Sequence, residues 1–446
     1  MSKGREKNLM KVADRLKNRQ FLYFVLMTIP FIAYQLFIIA NIIYHCFILK
    51  EHFFLDFWLR WQETAYMLIG SNPMDVDKGL LPIDPRIGNF PFFPGNCPWG
   101  YTMGIFWVLG FLPLPVAKIL SLIMYIAILV VTAFLAYRYF KNKGEQNRFI
   151  LLSAALIIFV ETNWAVAIRW GNLGAFCACF LIIAVLLLDK HPVVSGVLFG
   201  LAMYKPQVAA LFFISLLLQR RFKAFFTACS LICITWAASA VFTGVSPIDL
   251  LLQANANGTG ISNGTFGIFD LFSETNILTI PQSIYASAIF GIVFTTVISI
   301  WLSKKPHLKD GNLLYYSIPA VASTLWFYKQ PHDFIIIAIL ALATLEILSK
   351  KDISFKKFII LMLLMLTLYC FNVQIASVAA SATVRVFGFI FNNPDIRAYH
   401  FNVLYLYRYA AWIVWFLIIF DVSANKKFYN FLKIKSSRLI RVKTKS

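Results

Sequence analysis

Charge is what this sequence has least of. Only 14% of its 446 residues are charged, and just 20 are acidic, against 60% hydrophobic. Soluble domains carry about 25% charged and about 45–50% apolar residues, so a purely soluble enzyme or DNA-binding module is excluded. Cysteine is present without a pattern. Of the seven, Cys177, Cys179, Cys229, Cys233 and Cys370 lie in apolar runs and read as small core residues. Cys46 and Cys97 are the one pair able to meet on the same side of a membrane, and no zinc-type Cys/His spacing exists. The chain also lacks a Walker phosphate loop and a Rossmann glycine fingerprint, so nucleotide-dependent chemistry has no motif to rest on. There is no internal repeat and no heptad.

What is present is hydrophobic length. Mean hydropathy is +0.72, and a membrane span needs about 20 mostly apolar residues. Twelve stretches read as spans: 21–48, 115–137, 149–166, 172–188, 192–204, 206–219, 222–243, 282–303, 312–328, 333–349, 357–376 and 403–421. The first is too long for the apolar region of a cleavable signal. Segments 192–204 and 206–219 are short and read as a hairpin folded about Lys205-Pro206. The segment 99–112, between Pro98 and Pro113, reads as lying at the membrane surface. The expected fold is therefore an all-α polytopic membrane protein, one membrane domain over 1–446. It divides into a basic N-terminus (1–20), a first outer loop (49–114), a multi-span body (115–421) and a basic tail (422–446).

The formal net charge of +21 tests this layout. Lys/Arg-rich short loops stay in the cytoplasm. Segments 1–20, 138–148, 189–191, 219–223, 303–310, 350–357 and the tail counted from Asp421 hold 30 of the 41 Lys and Arg, and with Glu346 hold eight of the 20 Asp and Glu. The inner face thus carries +22 and everything else −1. Both termini are expected inside, in a prokaryotic plasma membrane. The basic excess records orientation and contact with membrane lipids, with no nucleic-acid partner. The loop 253–267, rich in Gly, Asn and Thr, reads as a flexible lid.

Ionisable residues in or near the bilayer are costly and mark functional candidates. Asp56 follows the first span and begins a surface helix over 56–70; it reads either as a helix cap or as a catalytic carboxylate. Arg169, beside Gly171-Asn172, suits a phosphate or carboxylate, or else snorkels between two Trp. Lys205 sits at the hairpin tip behind Gly196-x-x-x-Gly200, a spacing that permits close helix packing. It fits a lipid-linked phosphate, or a structural ion pair with Asp56 or Glu161. Lys329-Gln-Pro-His332-Asp333 begins a span on the outer side, where His and Asp bind metal, orient a base, hold sugar hydroxyls or cap a helix. All four groups reach the outer side, where ATP and nucleotide sugars are absent.

These residues run in the order of a known family. Asp56-Phe57 with Gly70-Ser-Asn-Pro73-Met-Asp75, Phe93-Pro94 with Leu112-Pro113-Leu-Pro115, Ser195-Gly196 through Gly200 to Lys205-Pro206-Gln207, and Pro331-His332-Asp333 resemble glycosyltransferase family 87 over roughly 50–350. Gly171-Asn172 stands near the family's Gly-Gln-x-Asn element without its Gln. The resemblance implies a C-type glycosyltransferase fold and a polyprenyl-phosphate sugar donor, mannose foremost. It implies inverting transfer to a lipid or glycan acceptor on the outer face. Asp56 takes the role of general base. Lys205 and Arg169 hold the donor phosphate. Asn172, Gln207, Lys329, His332 and Asp333 contact sugar or acceptor. No cofactor is expected beyond the lipid-linked donor; a divalent metal stays open, since other C-type families use one. Two rival functions remain: a transporter or flippase of lipid-linked sugars, and a ligase or polymerase of surface polysaccharide. The missing repeat disfavours the transporter, and the modest late loops disfavour the ligase.

Overall fold

The computed structural model describes residues 54–77, 79–88, 108–160, 163–250, 278–304, 312–326, 331–349, 378–385 and 410–419, with a few isolated positions elsewhere. The 357–376 span, most of the 21–48 span, the 253–267 loop, Cys46, Cys97 and Lys329 lie outside the described residues. Those described are helical, with no strand among them.

The first described helix, α1 (Leu55–Leu68), falls where the sequence predicts a helix over 56–70, with Phe57 and Trp61 through Met67 buried. The chain turns out of it at Gly70, whose φ of +79° suits glycine, and enters the short α2 (Pro73–Asp77). Three later helices are long and apolar enough to cross a membrane: α3 (Leu114–Asn142), α9 (Phe222–Thr243) and α10 (Ile280–Ser303). Their two faces differ as a lipid boundary requires. On α10, Tyr285, Ile289, Val293 and Val297 are exposed, whereas Ser283, Ser287, Thr295 and Ser299 are buried. Between those buried hydroxyls Gly291 meets Trp326, with space for no Cβ. Small residues on the inward face let backbones approach where lipid offers no hydrophobic drive to associate.

Shorter helices fill the interior: α4 (Arg148–Val160), α5 (Asn163–Trp170), α6 (Gly174–Leu187), α7 (Pro192–Ala202), α8 (Pro206–Leu218), α11 (Asn312–Trp326) and α12 (Ala338–Leu348). Two expected spans are subdivided. The 149–166 stretch carries α4 up to Val160 and α5 from Asn163, with residues 161–162 outside the described ones. The 333–349 stretch begins as a 3-10 turn, Pro331–Ile337, before α12. Apolar on every side, α6 is buried from Gly174 to Leu186, as such a helix must be. It packs against α3, α7, α8, α11 and the 3-10 turn.

The expected hairpin is present as α7 and α8, with Lys205 at its tip. At about 1.5 Å per residue, each arm is too short to be an ordinary span. Two ion pairs join the opposite ends of these elements: Lys143 with Glu346, and Arg221 with Asp189 at 2.6 Å. Asp189 follows α6, Arg221 follows α8 and Glu346 ends α12. Those basic loops that are described, 138–148, 189–191 and 219–223, thus gather at one end of the bundle. Asn172, Lys205 and Asp333 lie at the other ends of the same elements.

The glycine spacing does what its sequence suggested. An ideal Cβ at Gly196 would fall 2.6 Å from both the Ala224 carbonyl oxygen and Thr227 Cβ on α9, and one at Gly200 3.1 Å from the Ala228 carbonyl oxygen. Gly196→Leu is therefore expected to push α7 from α9 and to cost about 1–3 kcal/mol. Thermal unfolding in detergent measures this, and an unchanged midpoint would contradict the close packing.

Candidate active site

The site is built where four remote segments converge on one amide. Asn172, in the turn between α5 and α6, donates from Nδ2 to Asp56 Oδ2 at 2.5 Å. Its Oδ1 accepts from Lys205 Nζ at 2.7 Å and from the Gly174 backbone N–H at 2.8 Å. Lys205 Nζ donates in turn to Asp333 Oδ1 at 2.7 Å. The result is a continuous chain, Asp56–Asn172–Lys205–Asp333. Lys205 and Asp333 are buried, at 7% and 1% exposure, and Asp56 is half-buried.

Local structure explains why Asn172 sits still. Its N–H donates to the Ala167 carbonyl at 2.8 Å, and its carbonyl accepts the Tyr125 hydroxyl from α3. Gly171 before it has φ +64°, and a Cβ there would lie 2.7 Å from Phe57 Cβ. Glycine is thus required both by the backbone and by the approach of α1. Phe54 seals the contact: its N–H donates to the Arg169 carbonyl at 3.2 Å, and its ring meets Phe57 and Tyr125 edge-on.

Electrostatics separate the two carboxylates. Asp333 holds a buried ammonium. Asp56 has no direct ion pair among the described residues, and burial pushes its pKa above the usual carboxylate value. The Asn172 hydrogen bond and the charges of Lys205 and Arg60 pull in the opposite direction without cancelling the rise. A carboxylate raised in this way is a stronger base than one in water.

Several sequence readings change. Asp56 is not the helix cap: Phe54 holds that position, with no side-chain cap, and Asp56 lies in the first turn. Lys205 pairs with Asp333 and not with Asp56, because the 3-10 turn brings Asp333 to the hairpin tip; Glu161, the other partner expected, lies outside the described residues. Arg169 shares the neighbourhood through its backbone, but its guanidinium is exposed, 6.0 Å from the Trp170 ring, and outside the buried chain. Gln207 is buried in the first turn of α8, its carbonyl accepting the Trp326 indole N–H at 2.7 Å. His332 belongs to the 3-10 turn next to Asp333, and its side chain lies outside the described residues, as does Lys329.

Other residues had not stood out. Tyr125 shows no sequence signal, being one aromatic in an apolar span. Arg408, 3% exposed with its guanidinium over Phe334 and Trp412, carried the signal of a cation inside an apolar run. No group of three or more His, Cys, Asp or Glu suited to a metal occurs among the described residues.

Comparison with known families matches residues 102–345, more than half of the chain, to glycosyltransferase family 87. The chain belongs to glycosyltransferase family 87. It is accordingly a glycosyltransferase, which decides between the transferase and transporter readings of the sequence. No curated protein and no solved structure matches it. The family segment contains Asn172, Lys205 and Asp333, while Asp56 lies ahead of it.

Asn172→Ala should uncouple Asp56 from Lys205. Transfer is expected to fall by about 10²-fold, with the fold retained by the unchanged Lys205–Asp333 pair. Initial rates alongside thermal unfolding check this; a fully active variant would deny the amide its bridging role.

Proposed function

We propose that this protein transfers a sugar, mannose foremost, from a polyprenyl-phosphate carrier to a hydroxyl of a lipid or glycan acceptor, on the outer face of the membrane and with inversion. The observation that carries the reading is the Asp56–Asn172–Lys205–Asp333 chain at the bundle end opposite the basic loops. A raised carboxylate and a buried ammonium, held a fixed distance apart by one amide, suit a displacement that needs a base on one side and a counter-charge on the other.

Asp56 takes the proton of the acceptor hydroxyl. The freed oxygen attacks the anomeric carbon from the side opposite the phosphate. The bond from that carbon to the phosphate oxygen breaks, and the electron pair leaves with the polyprenyl phosphate. Lys205 has three N–H donors, of which Asn172 and Asp333 take two, leaving the third for a phosphate oxygen. An ammonium at the leaving oxygen favours the transition state, where charge is growing. Arg169, exposed at the same neighbourhood, fits an approaching phosphate or headgroup. His332, Asp333, Gln207 and Lys329 are candidates for sugar and acceptor contacts. The outer-face assignment rests on the charge asymmetry, and the lipid-linked donor on the absence of nucleotide sugars on that side.

Purified protein with polyprenyl-phosphate sugars tests the roles separately. Asp56→Asn should lose transfer by at least about 10²-fold while still binding donor; full activity would remove Asp56 as the base. Because the Asp56 pKa is raised, the wild-type rate should climb with pH through a value above the usual carboxylate range, as the carboxyl sheds its proton. A rate already flat across that range would contradict this. Lys205→Ala in an Asp333→Asn background leaves no buried charge unpaired. It should weaken donor binding about 10- to 100-fold, and unchanged affinity would refute the phosphate role.

A further inference from the structure

Asp56 and Arg60 stand one turn apart on α1, in the order, acid before base, that favours an (i, i+4) ion pair. The structure does not form that pair. The Arg60 guanidinium is instead turned to Glu63, its Nη1 lying 2.6 Å from both carboxylate oxygens. Arg60 and Glu63 are largely buried, and a carboxylate buried to 6% exposure is costly without a counter-charge. Two carboxylates on one helix thus compete for one guanidinium, and the more buried one holds it.

We propose that Glu63 is a positioning residue that keeps the Arg60 guanidinium off Asp56, leaving the Asp56 carboxylate free to receive the acceptor hydroxyl. The inference rests on Asp56 being the base. The groups facing Asp56 are Asn172, which bonds it, Lys205, Arg60 and Asp333, whose charges reach it, and the Tyr125 hydroxyl, which feels its charge. Lys205 is tied to Asn172 and Asp333, and Asp333 is spent on Lys205. Arg60 is the cation on the same helix, and the carboxylate it pairs with is that of Glu63. A guanidinium on Asp56 would cover the oxygen that accepts the proton and, by favouring the charged carboxylate, lower its affinity for that proton. Glu63 prevents both.

Glu63→Gln, in the full-length protein, should release Arg60. The expected result is a fall in kcat of about tenfold or more at neutral pH, an unchanged donor KM, and an acid limb of the pH–rate profile moved to lower pH. Arg60→Met should move the acid limb the other way, since it removes a charge that favours the carboxylate. Arg60→Met/Glu63→Gln should recover both the rate and the limb of the wild type. An unmoved limb in Glu63→Gln, or a double variant as impaired as the single, overturns the proposal. A determined structure of Glu63→Gln separates this inference from the reading beneath it. Arg60 within about 4 Å of the Asp56 carboxylate supports the proposal, and Arg60 still turned away overturns it. Full activity in Asp56→Asn sinks the base itself and leaves that measured position standing.

Discussion

A lysine ammonium at the tip of a short hairpin, 7% exposed among apolar helices, is the constraint on which the rest of this site depends. A buried ion loses several kcal/mol of hydration unless charge and hydrogen bonds replace it. Lys205 receives both, a carboxylate from Asp333 and an amide oxygen from Asn172. Once Oδ1 of Asn172 is committed to the cation and to the Gly174 N–H, the amide has one orientation, and Nδ2 must face the other way, toward Asp56. The position of the proposed base thus follows from the needs of a cation two residues along the network. The scaffold beneath serves that demand: α6 is a buried axis, Tyr125 holds the Asn172 carbonyl, and Gly171 lets α1 close over it.

A membrane sets unusual terms for such a structure. Apolar contacts between helices gain little over contacts with lipid, so hydrophobicity alone cannot choose which helix neighbours which. The choice is made by surfaces that permit close approach and by polar groups that must find one another. The Gly196 and Gly200 face against α9 and the Ser-Gly-Thr face of α10 belong to the first kind. The Lys205–Asp333 pair belongs to the second. The same logic separates the two bundle ends. One is basic and laced by exposed pairs such as Arg221 with Asp189. The other holds the buried Asn172–Lys205–Asp333 network.

Much of this was legible beforehand. Hydropathy and proline positions located α3, α9, α10 and the α7–α8 hairpin within a few residues, because the bilayer imposes length and composition on each segment separately. The residues of the central network were recognisable as candidates, since each polar group near the membrane stands out against its apolar surroundings. Their partners were not legible. Lys205 had Asp56 and Glu161 as expected partners, and only the 3-10 turn, a local departure from the helix expected at 333, brings Asp333 to it. Asp56 by position alone looked more like a cap, and the structure instead puts Phe54, in left-handed backbone, at that position and Asp56 in the first turn. Arg169 had the chemistry of a ligand, yet its guanidinium points outward while its carbonyl anchors α1. Tyr125 and the Arg60–Glu63 pair gave no warning, because their importance lies in what they touch.

The amino-acid sequence by itself determined the kind of molecule, the apolar segments able to cross a membrane, the clustering of basic residues in short loops and the short roll of polar residues able to do chemistry. Those properties depend on composition and on spacing along the chain, and a linear reading reaches them. Only the tertiary structure decided that Asn172 joins Asp56 to Lys205, that Asp333 and not Asp56 neutralises the lysine, and that Glu63 holds the guanidinium one turn from Asp56. Each of those is a choice among partners far apart in the chain or equally spaced along it, made where burial makes an unpaired charge too costly to keep.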